Sequence, residues 1–553
     1  MPKGSYNEVP MRIFALLFII LVYWGTTISN GFIHDDHREV ENNPYLASWE
    51  HFPKVFTSCI GGYQLPSCKG AGYYYRPLGV LSLFATRQIS SRPWVFHVVS
   101  IAYLWVLSML LFYFLRLHGI EGTVGLIGVA AYVTHPIISE VANGIGVYDL
   151  LLAICVVSAI LSFALYRKTK RHVWFVCSLL AYFLALLAKE SAVVLLVAFP
   201  IYDFLYSQKK KRLYQSIGLY SWFLVPLVVY GLMRYWVLGG PVYRQEGYYA
   251  MGIAASLVNM IGLYGRNLWA LMYPFPLSTF HRFVAISWSS WQFIVSFFAL
   301  VLTAAAGWAS YRRKLPGITF GLSIFVLFLV VPIVFFTKVG RFPFTERFLF
   351  VPFIGVTVAV TFLLQSLKPR VSGVVRWLFI VGLAGLFIVN WVGIQKRNAD
   401  WKNDAAFYAS VVRDDPGNEF GYAFGTFKEV LYQKNGLSFR YPDVFTLQEK
   451  ETGVVLVTKS GFAMSIDSNV KDPLESAMAY LSRQPAEPGA LVSEGQAKVA
   501  AVEFAWARNW NQKGTEMLEL FLFAAGQVVH VTAKPADSVF MGQFDKIVGS
   551  FAF

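Results

Sequence analysis

Long runs of apolar residues, each broken by a short polar turn, recur from about residue 12 to residue 393. A helix needs roughly 20 apolar residues to cross the hydrocarbon core of a bilayer. The pattern predicts about eleven such helices, near 12–29, 94–116, 121–136, 147–166, 173–188, 191–206, 217–237, 288–310, 316–336, 346–366 and 373–393. From 394 the chain turns polar, with helical spacing of Phe407, Val411 and Val412. From Gly436 onward apolar positions alternate with period two, as in half-buried strands. Strands are expected at Leu437–Tyr441, Val454–Thr458, Ala463–Asp467, Lys498–Arg508, Thr515–Phe523 and Val528–Ala533, with helices near Pro473–Arg483 and Val539–Phe551. The fold expected is a membrane all-α bundle of about eleven transmembrane helices plus an interfacial segment, followed by a small extracytoplasmic α+β domain. The divisions are 1–393, a polar helical linker at 394–435, and 436–553.

Composition agrees. The chain is 56% hydrophobic and only 14% charged, far from a soluble profile. The net charge of +15 does not indicate nucleic-acid binding, because the basic residues sit in short turns. Arg167–Arg171, Lys209–Arg212, Arg312–Lys314 and Lys368 with Arg370 mark cytoplasmic turns by the positive-inside rule, and Lys3 and Arg12 put the N-terminus inside. The loop from about 30 to 93 then lies outside. If 255–275 also crossed, Arg312–Lys314 would face outward; that stretch is therefore read as interfacial or re-entrant. The C-terminal domain, with ten basic and thirteen acidic side chains, falls outside as well. The first apolar run has no cleavage site of the small-residue type after it and reads as a retained anchor. Cys155 and Cys177 fall in apolar spans and read as core residues. Cys59 and Cys68 share the outer loop, where a disulfide and two free thiols are both open.

Ionisable residues at the mouth of a membrane bundle are expensive and read first as functional. Asp35 and Asp36 stand just past the first span. Tyr74-Tyr75-Arg76-Pro77-Leu78 ends the first outer loop, His135-Pro136 and Glu140 close the third span, and Asp149 opens the fourth. Lys189-Glu190 sits at an outer turn, Pro274-Phe275-Pro276-Leu277-Ser278 follows the interfacial stretch, and Glu346-Arg347 begins the tenth span. All fall on one side of the predicted topology, so they would line one cavity at one membrane face.

In this order the motifs resemble the GT-C-type glycosyltransferases, most closely the transmembrane-and-TPR O-mannosyltransferase family. The resemblance covers about residues 1–430. It includes Asn42-Asn43-Pro44 after the Asp pair, Pro352 after Arg347, and Arg397-Asn398-Ala399-Asp400-Trp401 with Pro416-Gly417-Asn418 as an entry to a TPR array. That array is replaced here by a β-rich domain whose end, Val528–Ala533 with Ser550-Phe551, resembles bacterial PsbP-like domains.

The resemblance implies transfer of a sugar, mannose among the hexoses, from a polyprenyl-phosphate carrier to an acceptor hydroxyl on a protein, lipid or glycan. It favours a multi-pass protein of the bacterial inner membrane with its active face extracytoplasmic; the endoplasmic reticulum membrane is the alternative. Asp35 or Asp36 would take the acceptor proton. Arg76, Lys189 and Arg347 would hold the departing phosphate, with Arg244 and Arg266 as outsiders. His135, Glu140, Asp149, Glu190 and Glu346 would orient groups or the acceptor. Each also has a structural reading: a helix cap, a local ion pair such as Lys189 with Glu190, or snorkelling to the interface. His97 reads as a core histidine and Tyr73–Tyr75 as an interfacial belt. A divalent cation on the Asp pair, assisted by His37, Glu39 or Glu41, is a third option; the sequence fixes no cofactor. The C-terminal domain would position an acceptor or merely cap the bundle. The competing functions are a lipid or glycan transporter or flippase, and a membrane-anchored binding protein.

Overall fold

The computed structural model describes residues 8–69, 74–206, 217–240, 249, 251–340, 342–367, 373–415, 418, 421, 429–434, 437–442, 445–450, 453–457, 463–470, 490–497, 499, 504–512, 515–524, 527–534, 544 and 546–551. Arg244, Tyr73, the basic turns at 209–212 and 368–370, and the helix expected near Pro473–Arg483 lie outside the described residues. The chain forms two compact units, Met1–Asn403 and Asp404–Phe553.

The first unit is helical. Its principal helices are α1 (Glu8–Trp24), α2 (Pro77–Ile89), α3 (Pro93–Leu117), α4 (Gly122–Val133), α5 (Ser139–Asn143), α6 (Tyr148–Thr169), α7 (His172–Ala188), α8 (Leu195–Tyr206), α9 (Leu224–Leu238), α10 (Ile253–Met272), α11 (Trp291–Arg312), α12 (Pro316–Val334), α13 (Phe350–Leu367) and α14 (Gly373–Asp400). Among the described residues eight helices are long and apolar enough to cross a membrane, or nine if a bent pair counts as one span. The expected eleven is not reached among the described residues. The span expected at 121–136 is the bent pair, Gly122–Val133 and Pro136–Asn143, broken by 54°. Pro136 has no N–H to continue the ladder, and the His135 ring accepts the Ile137 N–H at 3.2 Å instead. At 173–188 the helix has 17 residues, and within 191–206 the described α-helix has 12, ending where the described residues end. A rise of 1.5 Å per residue makes the first shorter than the ~30 Å core.

Helices α12 and α13 approach backbone to backbone at Gly321 and Gly355. A Cβ on Gly321 would lie 2.5 Å from the Gly355 carbonyl oxygen, and one on Gly355 would lie 2.5 Å from that of Gly321. Such close approach of small residues is how helices associate where no hydrophobic force drives them.

Contacts assign the helix ends to two poles. At one pole the Gly31 N–H donates to Lys402 O at 3.0 Å, His34 packs on Phe280 at 5.1 Å, and Lys69 lies against Gly239. At the other, Arg167 pairs with Asp203 at 2.7 Å, the His118 ring meets the Tyr202 hydroxyl at 2.8 Å, and Phe204 stacks on Tyr311 at 5.7 Å. The basic residues Arg167–Arg171 and Arg312–Lys314 belong to this second pole. Gly239 and Phe280 flank α10, and both sit beside the first loop. Helix α10, Ile253–Met272, is not among the described helices long and apolar enough to cross a membrane.

In the second unit, α15 (Asp404–Asp414) precedes a hairpin of β1 (Glu429–Lys434) and β2 (Leu437–Pro442). Strands β3 (Thr446–Glu449), β4 (Gly453–Val457), β5 (Ala463–Val470), β6 (Ala490–Ala497), β7 (Phe504–Gln512), β8 (Thr515–Ala524) and β9 (Gln527–Lys534) form one antiparallel sheet. Its order is β3-β4-β5-β9-β8-β7-β6. The period-two residues Leu456, Met464, Ile466, Leu520, Leu522, Val529 and Val531 make its core. Of the strand expected at Lys498–Arg508, residues 504–508 belong to β7, which runs on to Gln512; 498 and 500–503 lie outside the described residues. Of the helix expected at Val539–Phe551, residues 544 and 546–549 are helical.

Candidate active site

The first loop is tied down before it reaches the Asp pair. The Asn30 amide donates to Asn398 O at 3.0 Å, and Asn143 donates to the Asn398 side chain at 2.8 Å. His34 then takes φ +47°, a left-handed conformation costly for a residue with a side chain. This turn separates the two carboxylates. The Asp36 side chain folds back to accept the Ile33 N–H at 3.2 Å, and Asp35 turns outward to Arg38 at 3.1 Å. Asp35 is half exposed, at 51%. Burial pushes the Asp36 carboxyl up to about 8; the Ile33 hydrogen bond opposes this only in part, and Glu39 and Asp35 add to it.

Three cations approach from distant segments, each beside a carboxylate. Arg76, held in non-helical backbone by Pro77 at the start of α2, donates to Glu190 from Nε at 3.2 Å and from Nη2 at 2.8 Å. Its guanidinium lies 4.2 Å from the centre of the Tyr74 ring. The Lys189 ammonium donates to Asp149 at 2.7 Å. Arg347 sits 3.5 Å from Glu140, which also accepts the Arg347 backbone N–H at 3.0 Å. Asp149, Asp35 and Arg76 all lie within electrostatic reach of Arg347, and Asp149 within reach of Arg76. The expected local pair Lys189–Glu190 is not formed. Burial pulls the Lys189 ammonium down despite Asp149. Burial acts to raise Glu190 too, but Arg76 outweighs it and holds the carboxyl at about 2.

Glu39 and Tyr148 belong to this constellation. Sequence reasoning places Glu39 only among the candidate metal ligands and does not single out Tyr148 at all. The Tyr148 hydroxyl donates to Glu39 at 2.8 Å, and its ring lies 5.8 Å from the Arg76 guanidinium. Burial, then the charge of Asp35, pushes Glu39 up. The one signal for Tyr148 in the sequence is its place beside Asp149. Gly79 makes room for it, since a Cβ there would lie 2.2 Å from the Tyr148 ring.

Two further expected site residues make contacts of their own, Glu346 within electrostatic reach of Glu140. Glu346, 1% exposed, accepts the Ser278 N–H at 2.7 Å and faces His281 at 3.4 Å and Arg397 at 3.9 Å. His135 accepts the Ile137 N–H through one ring nitrogen and meets the Leu271 carbonyl through the other at 3.1 Å. Cys59 and Cys68 are joined in a disulfide, with Cα atoms 5.9 Å apart. His97 is buried. Among the described residues no three His, Cys, Asp or Glu side chains converge to hold a metal ion. His37 faces Glu41, and Glu39 faces Tyr148.

No family model matches the chain. It is similar to Protein O-mannosyl-transferase tmtc2 of Xenopus laevis, at 21% identity over 494 residues. The similarity covers 72% of this chain and 58% of that relative, so the chain spans little more than half its length. The chain is thus a multi-helix membrane-type protein with a distant O-mannosyl-transferase relative.

Proposed function

We propose that the protein is an integral-membrane glycosyltransferase that moves a hexose, mannose by analogy with the relative, from a polyprenyl-phosphate carrier to an acceptor hydroxyl. The observation that carries the reading is the gathering of Asp35, Arg76, Lys189 and Arg347 at the pole away from the basic turns. By the positive-inside rule that pole is extracytoplasmic, and the bacterial inner membrane is the setting proposed. A lipid-linked donor suits such a site, because its tail partitions into the bilayer while its phosphate reaches the cations.

Asp35 is the base in this reading. It is half exposed, paired with Arg38 and within electrostatic reach of Arg347, whereas Asp36 is engaged with the Ile33 amide. The acceptor oxygen attacks the anomeric carbon as its proton passes to Asp35. The bond between that carbon and the phosphate oxygen breaks, and its electron pair leaves with the polyprenyl phosphate. Arg76, Lys189 and Arg347 receive the growing negative charge. Asp149, Glu140 and Glu190 orient those cations, and Glu346 and His135 brace the segments that carry them. The second unit, with its proposed likeness to PsbP-like domains, presents the acceptor, whether protein, lipid or glycan. The test is transfer of labelled sugar from a synthetic polyprenyl-phosphate hexose by purified protein. Asp35→Asn should cut it by orders of magnitude with the fold intact; undiminished transfer would remove Asp35 from the chemistry.

A further inference from the structure

Arg76, Lys189 and Arg347 each have a carboxylate beside them, so those three pairs by themselves carry no net charge. A fourth cation lies behind them. Arg234, on α9, is buried, at 9% exposure, within a candidate membrane span. Its guanidinium donates to the Tyr230 hydroxyl at 3.5 Å, and that hydroxyl points at the Tyr75 carbonyl, also at 3.5 Å. The Tyr230 and Tyr75 rings stack at 6.3 Å, which seats α9 directly beside the residue preceding Arg76. Among the described residues Arg234 forms no ion pair of its own. Glu190, already held by both Arg76 nitrogens, lies within its electrostatic reach.

A buried guanidinium without its own counter-ion is costly in a membrane bundle. It is tolerable when an anion arrives to complete it. We propose that Arg234 supplies a further positive charge beside the Arg76–Glu190 pair. By sharing Glu190 it leaves the Arg76 clamp with a net positive charge that attracts a phosphate monoester or diester at the end of a lipid. The inference rests on the glycosyl-transfer reading for the identity of the anion, and it makes Arg234 a positioning residue that acts through Glu190 and Arg76.

The experiment is equilibrium binding of a polyprenyl phosphate carrying no sugar to the full-length protein in detergent, with thermal unfolding as the fold control. Arg234→Gln should weaken binding by about tenfold to a hundredfold, the range for a lost charge-assisted contact. Its salt dependence should become shallower, and Arg234→Lys should restore most of the affinity. In turnover assays the loss should appear in the KM for the donor, with kcat nearly unchanged. Should Arg234→Gln fail to fold, Tyr230→Phe removes the hydroxyl that aims the guanidinium and should weaken binding several-fold. Wild-type affinity in a folded Arg234→Gln, or in Tyr230→Phe where that is the variant available, overturns the proposal. Absence of binding by the wild-type protein would overturn the donor reading itself, which is a separate failure.

Discussion

Arg76 and Glu190 stand 114 residues apart in the chain and meet through two parallel hydrogen bonds. Glu190 is held far below its ordinary value of 4.5, so it must be charged for the pair to contribute. Its contribution is complete above the unfolded value and is lost as pH falls towards about 2. Thermal unfolding of the wild-type protein should therefore lose stability between about pH 5 and pH 2. Glu190→Gln should start less stable at neutral pH and lose less over that acid range.

Asp36 carries the opposite sign. Its carboxyl is raised to about 8 in the folded protein against an ordinary value of 3.8, so the folded protein binds the extra proton. Stability should fall as pH rises from about 4 to about 8. Asp36→Asn, which cannot ionise, should remove that slope, and its unfolding temperature should gain on the wild type across the window. A parallel pair of unfolding curves would show that Asp36 ionises as freely in the fold as outside it.

At Asp35 the expectation is catalytic. Asp35→Asn should cut sugar transfer by roughly two to four orders of magnitude, the range for loss of a positioned base. Asp36→Asn should cut it less. The reverse ranking, measured with matched donor and acceptor, would exchange their roles.

Gly79 offers a steric test. An alanine there would drive into the Tyr148 ring, which in turn positions Glu39 and flanks Arg76. Overpacking of this kind costs about 1–3 kcal/mol. Gly79→Ala should lower both stability and transfer more than Tyr148→Phe, which loses only the hydroxyl. Unfolding temperature and initial rate measure the two effects.

The Cys59–Cys68 loop supports the site from outside. The Ile60 N–H donates to Tyr74 O at 3.0 Å, and Tyr74 stacks on Arg76. Reduction of the disulfide, or replacement of both cysteines by serine, should lower transfer several-fold and depress the unfolding temperature. Insensitivity to reductant would show that Tyr74 is held without the staple.

Hydrophobic periodicity by itself determined the class of this protein: apolar helices joined by basic turns, then alternating strands. Those are local properties, set by repeat length and by the preference of charge for one side of a membrane. Residue chemistry also marked Asp35, Arg76, Lys189 and Arg347 as groups too costly to lie idle. What the sequence alone could not settle were the partners. Lys189 beside Glu190 invited a local pair, yet extended backbone at Lys189 sends its ammonium to Asp149 and leaves Glu190 to Arg76. Asp35 and Asp36 look equivalent in a string, and only the left-handed turn at His34 divides them. Arg234 carried no motif, and its place follows from the packing of α9 against Tyr75. Helix lengths were likewise not legible, because apolar composition says that a segment is buried but not how far its helix runs.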